Sequence, residues 1–364
     1  MFKRALSLTL LFLTVFFAWK QDSLGKTPRY KSLEIQVPWV STAKTWPPGS
    51  KIPADSIVSA IERGENLDIE NCEIFGPVKM KGTSERPDTI NSFIQVYSCI
   101  FHDTVSFSYC HFTKSIIFSI ATFNGIADFS HATFSMDAYF GFSYFKTQAD
   151  FSYTTFYHKA YFTYSRFDKG VIFSHAAFRG QVDLWGTEYE YLDISWKQLR
   201  GHLAYDTRSN LKLMKNFEEE RQLDDADGVY LFLKDQERME KPKLQRYLEF
   251  WFIQQTCGYG IVWWRPLLTS LIVVMLFTFL YFKLVLQEKG LPLPNSGSKR
   301  FWKKLWNAFY YSMNTFLVGI PANWKVENKP KDFFVFRIST TIERTLGWIL
   351  LAVFVVTLTR KFIR

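Results

Sequence analysis

Residues 301–324 read FWKKLWNAFYYSMNTFLVGIPANW and lie between two apolar stretches of a 364-residue chain. Trp302, Leu305, Trp306, Phe309, Tyr310 and Met313 recur at helical spacing. Gly319 and Pro321 then stop any helix. A helix, a turn and extended backbone set between two spans is the layout of a pore loop. Non-helical backbone at membrane depth persists only where it lines a cavity or is buried in protein. The chemistry open to Thr315, Phe316, Leu317, Val318, Gly319 and Ile320 is therefore passage of a solute along a constriction, with Phe309, Tyr310 and Ser312 on the helix leading into it.

Groups suited to turnover are not arranged for it. No nucleophile elbow, phosphate loop, HExxH pair or dinucleotide fingerprint occurs. Glu218, Glu219 and Glu220 with Asp224, Asp225 and Asp227 read as a solvated acidic face. Cys72, Cys99, Cys110 and Cys257 lack CxxC or metal-type spacing. No enzyme, cofactor or metal site is expected.

The elements that must hold the constriction are two spans. Residues 267–286 are apolar for almost their whole length, with Lys283 placed to snorkel and Trp263, Trp264 and Arg265 at the entry. Residues 338–360 make the second, closed by Arg360 and Lys361. Ahead of them, residues 208–222 and 225–240 read as charged amphipathic helices. Residues 244–255, with Tyr247, Phe250, Trp251 and Phe252, suit either the membrane interface or packing on neighbouring helices. At the other end of the chain, Lys3 and Arg4 precede an apolar run over 5–18, the pattern of a signal peptide or an N-terminal anchor.

Between these segments phenylalanine recurs with an alternating step of five and six residues, at 101, 107, 112, 118 and onward to 178. A small residue stands two positions before most of them, such as Cys110, Ala121, Ala132 and Ser143, and Ser or Thr often follows. Large and small residues alternating inward fill a narrow coil without voids. An internal repeat of this kind means a solenoid. Residues 53–66 read as a helix capping its N-terminal end, and 81–91 as a loop protruding from it. Tyr109, His131, Tyr153 and His175 recur every 22 residues; where a coil has that length they form an aromatic ladder open to a protein partner, with His131 and His175 two coils apart, about 10 Å, too far for one metal ion.

Stretches such as ADFSHATFSMDAYF (127–140) resemble the pentapeptide-repeat family, in its 5+6 variant. The resemblance implies a right-handed quadrilateral β-helix with coils of 22 residues, about four of them over 96–184. The segment FYYSMNTFLVG (309–319) resembles the two-transmembrane, potassium-channel-like pore module. The whole arrangement looks like a known bacterial combination: pentapeptide repeats, a motif at Cys257, Gly258 and Gly260 followed by Trp263 and Pro266, one span, a pore loop, and a span with ERTLGWILLA at 343–352. What this implies is a bacterial inner-membrane, multi-pass protein, a homotetramer in the lipid bilayer passing monovalent cations. The filter departs from the pattern: Ile320 and Pro321 replace an aromatic and a glycine, so potassium selectivity does not carry over.

Net charge is +10, but the rod from 94 to 186 holds six acids and six bases. A neutral rod argues against mimicry of DNA, and no nucleic acid partner is expected. Ten basic residues lie between 287 and 344 against eight in 238–265 and 360–364, which leans the repeat domain to the extracytoplasmic side. The expected organisation is a signal or anchor over 1–18, an N-terminal segment with capping helix over 19–66, a β-helix over 67–195, a helical connector over 196–260 and a two-span pore module over 261–364. The function expected is an oligomeric cation channel with a sensory or docking rod; the alternative is a non-conducting, membrane-anchored scaffold.

Overall fold

The computed structural model describes residues 43–287, 298–317 and 333–363. The N-terminal apolar run and the expected constriction residues Val318, Gly319 and Ile320 lie outside them. The chain forms two compact units, divided after Asn210.

The first unit is a four-sided β-solenoid. Most of its strands are two residues long, and all pair in parallel with a neighbouring coil, the inner ones with the coil before and the coil after. Ile116 pairs with Ala138 and Ala138 with Ala160, a step of 22 residues. The four sheets hold seven, five, seven and six strands. About seven turns are therefore stacked, not the four that phenylalanine spacing alone marks. The earlier turns use Leu67, Ile69, Ile74, Val78, Ile90 and Val96 at the same inward positions, all buried. Aliphatic residues fill the core equally well there and hide the aromatic signature. Strand pairing begins at Lys44–Thr45, ahead of the capping helix α1 (Ala54–Glu62). Leu67 pairs with Ile94, a step of 27, so five residues are looped out once. The loop is shorter than its polar composition suggests, because Asp88–Ile90 is itself a strand paired to Cys110–Phe112.

The alternation of five and six has a backbone cause. Every five-residue step contains one non-glycine residue in the left-handed region: Ser98, Tyr109, Ile120, His131, Phe142, Tyr153, Tyr164 and His175, with φ between 54° and 59°. The six-residue steps contain none. A left-handed residue costs about 1–2 kcal/mol, offset here because its N–H is anchored on the next coil. Tyr109 N donates to Ser130 O at 3.0 Å, and His131 N to Ser152 O at 2.8 Å. The left-handed turn then points the following small residue inward. Where that residue carries a hydroxyl, it donates to a carbonyl of the previous coil: Ser143 to Phe118 O at 2.6 Å, Ser165 to Phe140 O at 2.7 Å.

Inside, the phenylalanines stack in four columns, one per side. Phe123, Phe145 and Phe167 follow each other at 4.6 Å between ring centroids; Phe118, Phe140 and Phe162 at 5.9 and 5.2 Å. The C-terminal end is closed by α2 (Trp196–Leu199). Its capping-box residue Gln198 donates through Nε2 to Phe173 O at 2.7 Å and Ala176 O at 2.8 Å. Val182 N also finds His202 O at 2.8 Å. These partners satisfy part of an edge that would otherwise invite another strand.

A helix over Thr207–Glu219 (α3) crosses the division between the units. The second unit contains α4 (Leu223–Glu240), α5 (Lys243–Glu249), a five-residue π-turn (Phe250–Gln254), α6 (Gln255–Cys257), α7 (Arg265–Gln287), α8 (Ser298–Leu317) and α9 (Phe333–Ile363). Arg265–Lys283 and Val335–Arg360 are long and apolar enough to cross a bilayer, with mean hydropathy 1.8 and 1.7, and only 22% of each is buried within the chain.

The Phe140 ring is fully buried between Phe118 and Phe162 and meets Phe129 and Phe151 edge-on. Phe140→Ala is expected to destabilise the rod by about 3–5 kcal/mol. Phe142→Ala, at a residue 58% exposed, should change stability by about 0.5 kcal/mol. Urea unfolding of the full chain in detergent, followed by far-UV circular dichroism, distinguishes them; equal losses would refute the stacked-core account.

Candidate functional site

Three helices meet around the aromatic segment. Near the end of α7, Tyr281 and Phe282 form a buried cluster with Ala308 and Tyr311 of α8, and Phe336 of α9 packs on it. Deeper, Val274 of α7, Phe316 of α8 and Leu350 of α9 form a second cluster. The order of these contacts makes α7 and α9 antiparallel, with α8 running antiparallel to α7 between them. Large aromatic rings at helical spacing supply the contact area; a single glycine sets the closest approach. Gly347 lies against the end of α8, where an added Cβ would stand 2.2 Å from Phe316 O. Beside it an apolar cavity of about 90 Å³ is lined by Leu267, Ser270, Leu317, Trp348 and Phe354 among others.

The expected residues fall as follows. Phe309 is half-buried against the deeper cluster, Tyr310 is exposed, and Ser312 is fully buried. Thr315, Phe316 and Leu317 are the last turn of α8, not extended backbone. The Thr315 hydroxyl, fully buried, donates to Tyr311 O at 2.9 Å within the helix. Thr315 and Phe316 thus serve as packing in this chain, and Leu317 is exposed. The extended part of the expected constriction falls on 318–320, outside the described residues.

One polar group in this apolar bundle has no counterpart in the expected set. Glu343 of α9 is fully buried. The Tyr281 hydroxyl donates to its Oε2 at 2.6 Å, and the Ser312 hydroxyl to its Oε1. Ser312 Oγ also lies 3.0 Å from Val274 O. The sequence signal was present, an acid one turn inside an apolar stretch, but its partners sit 62 and 31 residues away.

At the opposite end of the bundle the connector motif makes a collar. Gly258, Tyr259 and Gly260 are all left-handed, with φ of 54°, 55° and 83°. An added Cβ on Gly258 would also stand 2.7 Å from Val262 Cγ2. This tight turn lets Arg265 reach back to Gln254 O at 2.7 Å, while Gln254 Nε2 donates to Asp235 of α4 at 2.7 Å. Arg360, at the end of the second apolar helix, lies 3.8 Å from Asp227, over the Tyr230 ring at 5.0 Å and 3.5 Å from Tyr259 O. The start of one long helix and the end of the other are thereby tied to α4. Burial raises the Glu249 carboxyl, but the Lys241 ammonium at 2.6 Å and the Tyr259 hydroxyl at 3.1 Å hold it below the usual range. Along α5 and the π-turn, Leu244, Tyr247, Leu248 and Phe252 are exposed.

On the rod, Tyr109, His131, Tyr153 and His175 stack at 4.5, 4.7 and 4.6 Å, the ladder their spacing implies. Residues 97–143 and 143–188 match a family model described as pentapeptide repeats (9 copies). The rod is a pentapeptide-repeat solenoid, and the match stops short of the helical unit. No curated protein matches the chain, and no solved structure matches it.

Two outcomes follow from these placements. Gly347→Val should separate α8 from α9 and lower the thermal midpoint of the detergent-solubilised protein by several degrees, with Gly201→Val, at a site with open space but φ of +86°, as the backbone-strain control. Burial pushes the Cys99 thiol up to about 11 and the Cys110 thiol up to about 12, and Cys72 is buried too, whereas Cys257 is half-buried. Brief iodoacetamide treatment of the native protein should alkylate Cys257 alone, read by peptide mass spectrometry; early labelling of Cys110 would contradict the packing described.

Proposed function

We propose that the chain is one subunit of an oligomeric membrane pore, in which α8 and the residues after it form a re-entrant segment between two spans. The observation that carries this reading is the direction of the chain. Phe301 of α8 lies beside Phe282, at the end of the first apolar helix. Leu317 lies at the apolar cavity with Leu351 and Phe354 of α9. Phe336, at the start of α9, is back beside Tyr281. Among the described residues the chain enters the bundle at the end where α9 begins, and α8 ends well inside it, an arrangement that supports a re-entrant path between α8 and α9. Irregular backbone at that depth needs a cavity or protein around it, and closed symmetry of identical subunits supplies one. A homotetramer is the assembly favoured by likeness to two-span pore modules, with monovalent cations as the permeant species and Val318, Gly319 and Ile320 at the narrowest point.

The largely unburied faces of the two long helices support placement in a bilayer and contacts between subunits. The collar of Asp227, Tyr230, Gln254 and Arg360 supports a route by which the connector bears on both spans. The rod supports a second reading, a non-conducting anchored scaffold: its aromatic stacks are exposed, with Tyr153 51% accessible in one and Phe142 58% in another, and suit a docked protein. The inner membrane, with the rod on its extracytoplasmic side, is the proposed location.

The deciding experiment is reconstitution of the full chain in liposomes, with Na⁺, K⁺ and Cl⁻ flux measured and oligomer mass determined in nanodiscs. Cation flux from a tetramer, lost or altered at least tenfold in Gly319→Leu, is the expected result. A monomer, or a tetramer without flux in any ion, would favour the scaffold.

A further inference from the structure

We infer that Glu343 is the positioning residue of the re-entrant helix: one buried carboxyl pins α8 to both long helices at a single depth and so sets where α8 ends. The inference rests on the pore reading for its functional meaning but on geometry for its substance.

The carboxyl is fully buried, and its partners come one from each of the other two helices, Tyr281 Oη and Ser312 Oγ. Both partners are fully buried as well. A buried carboxyl left without partners is costly, so the three helices hold a joint optimum, and a slide of α8 by one turn would orphan Glu343. Around it, α7 presents Tyr281 and α8 presents Tyr311 and Ser312. Lys283 and Arg337 are exposed, and Lys304 and Arg344 half-exposed. Among the described residues no Lys or Arg forms an ion pair with Glu343.

A hydroxyl partner differs from a cation in one useful way. The single proton of Ser312 has two acceptors in reach, Glu343 Oε1 and Val274 O at 3.0 Å. With the carboxyl ionised, Ser312 donates to it. With the carboxyl protonated, Glu343 donates to Ser312 Oγ and Ser312 turns to Val274 O. Tyr281 donates to the other oxygen in both states. The bracket is complete whichever state holds, so the position of α8 is independent of pH. A glutamine reproduces the protonated pattern, its amide donating to Ser312 and its oxygen accepting from Tyr281; a leucine reproduces neither.

The test uses the full chain in nanodiscs with Cys257→Ser and nitroxide labels at Tyr310→Cys and Trp348→Cys, both on exposed faces of α8 and α9. Double electron–electron resonance then reads the spacing of the two helices, with singly labelled controls to remove distances between subunits. Glu343→Gln should keep the wild-type distribution between pH 5.5 and pH 8. Glu343→Leu and the double variant Tyr281→Phe/Ser312→Ala should each broaden it or shift it by several ångströms. Folding is controlled by the far-UV spectrum and by monodisperse elution. An unchanged distribution in Glu343→Leu would overturn the inference, as would a distribution in Glu343→Gln that matches the leucine variant. Flux through the unlabelled proteins is measured in parallel. Shifted distances in a protein that conducts no ion would keep the positioning role and remove the pore reading; a conducting wild type with unmoved distances would do the reverse.

Discussion

A parallel strand of two residues has no stability of its own, and everything in the first unit depends on the coil-to-coil hydrogen bonds that make it one. Those bonds require the same backbone position to return after 22 residues, as Ile116, Ala138 and Ala160 do. Once the return is set, each inward side chain stands on its own equivalent one coil away. Phenylalanines at the four sides become four stacks, and small residues become the gaps between them. The left-handed residues are a cost of turning in five residues, and the same bonds offset it. The ladder is thus cause, and the aromatic columns are consequence. The one step of 27, from Leu67 to Ile94, shows how the ladder absorbs an insertion: the extra residues leave the coil as a loop and the register resumes.

In the second unit the constraint is of the same kind but is met differently. The long helices satisfy their own backbones, so no ladder ties one to the next, and their apolar faces are interchangeable in register. Specificity has to come from exceptions to apolarity. Gly347 is one: it admits the end of α8 to within contact of the helix backbone. Glu343 is another, since it is buried where only Tyr281 and Ser312 answer it. At the other end, Arg265 and Arg360 are tied through Gln254, Tyr259 and Asp227 to α4.

On the pore reading, these exceptions divide the labour. The carboxyl bracket sets the depth of the re-entrant helix, and the collar meets the ends of both spans, the place from which a connector bears on a pore. Thr315 and Phe316, expected at the constriction, are helical and buried within the chain. The helix runs on through Leu317 because nothing before Gly319 interrupts it, and the buried faces of Thr315 and Phe316 continue the stripe begun by Ala308 and Ser312.

How far the chain could be read in advance follows from periodicity. The solenoid was legible because every coil repeats one environment, so one pattern is written many times; its four sides, and with them the aromatic ladder of Tyr109, His131, Tyr153 and His175, came from the likeness to the pentapeptide-repeat family. The β-helix was expected from residue 67, but the coils counted from phenylalanine began at 96, and the strands at Lys44–Thr45 and Lys51–Pro53 carry no such signature. The two long apolar helices were legible from length alone. The bracket of Glu343 was not, and neither was the closeness of Gly347 to Phe316. A contact between residues 31 or 62 positions apart has no period to announce it. Only the packing of three helices decides that a tyrosine, a serine and a glutamate from three separate segments meet at one buried point.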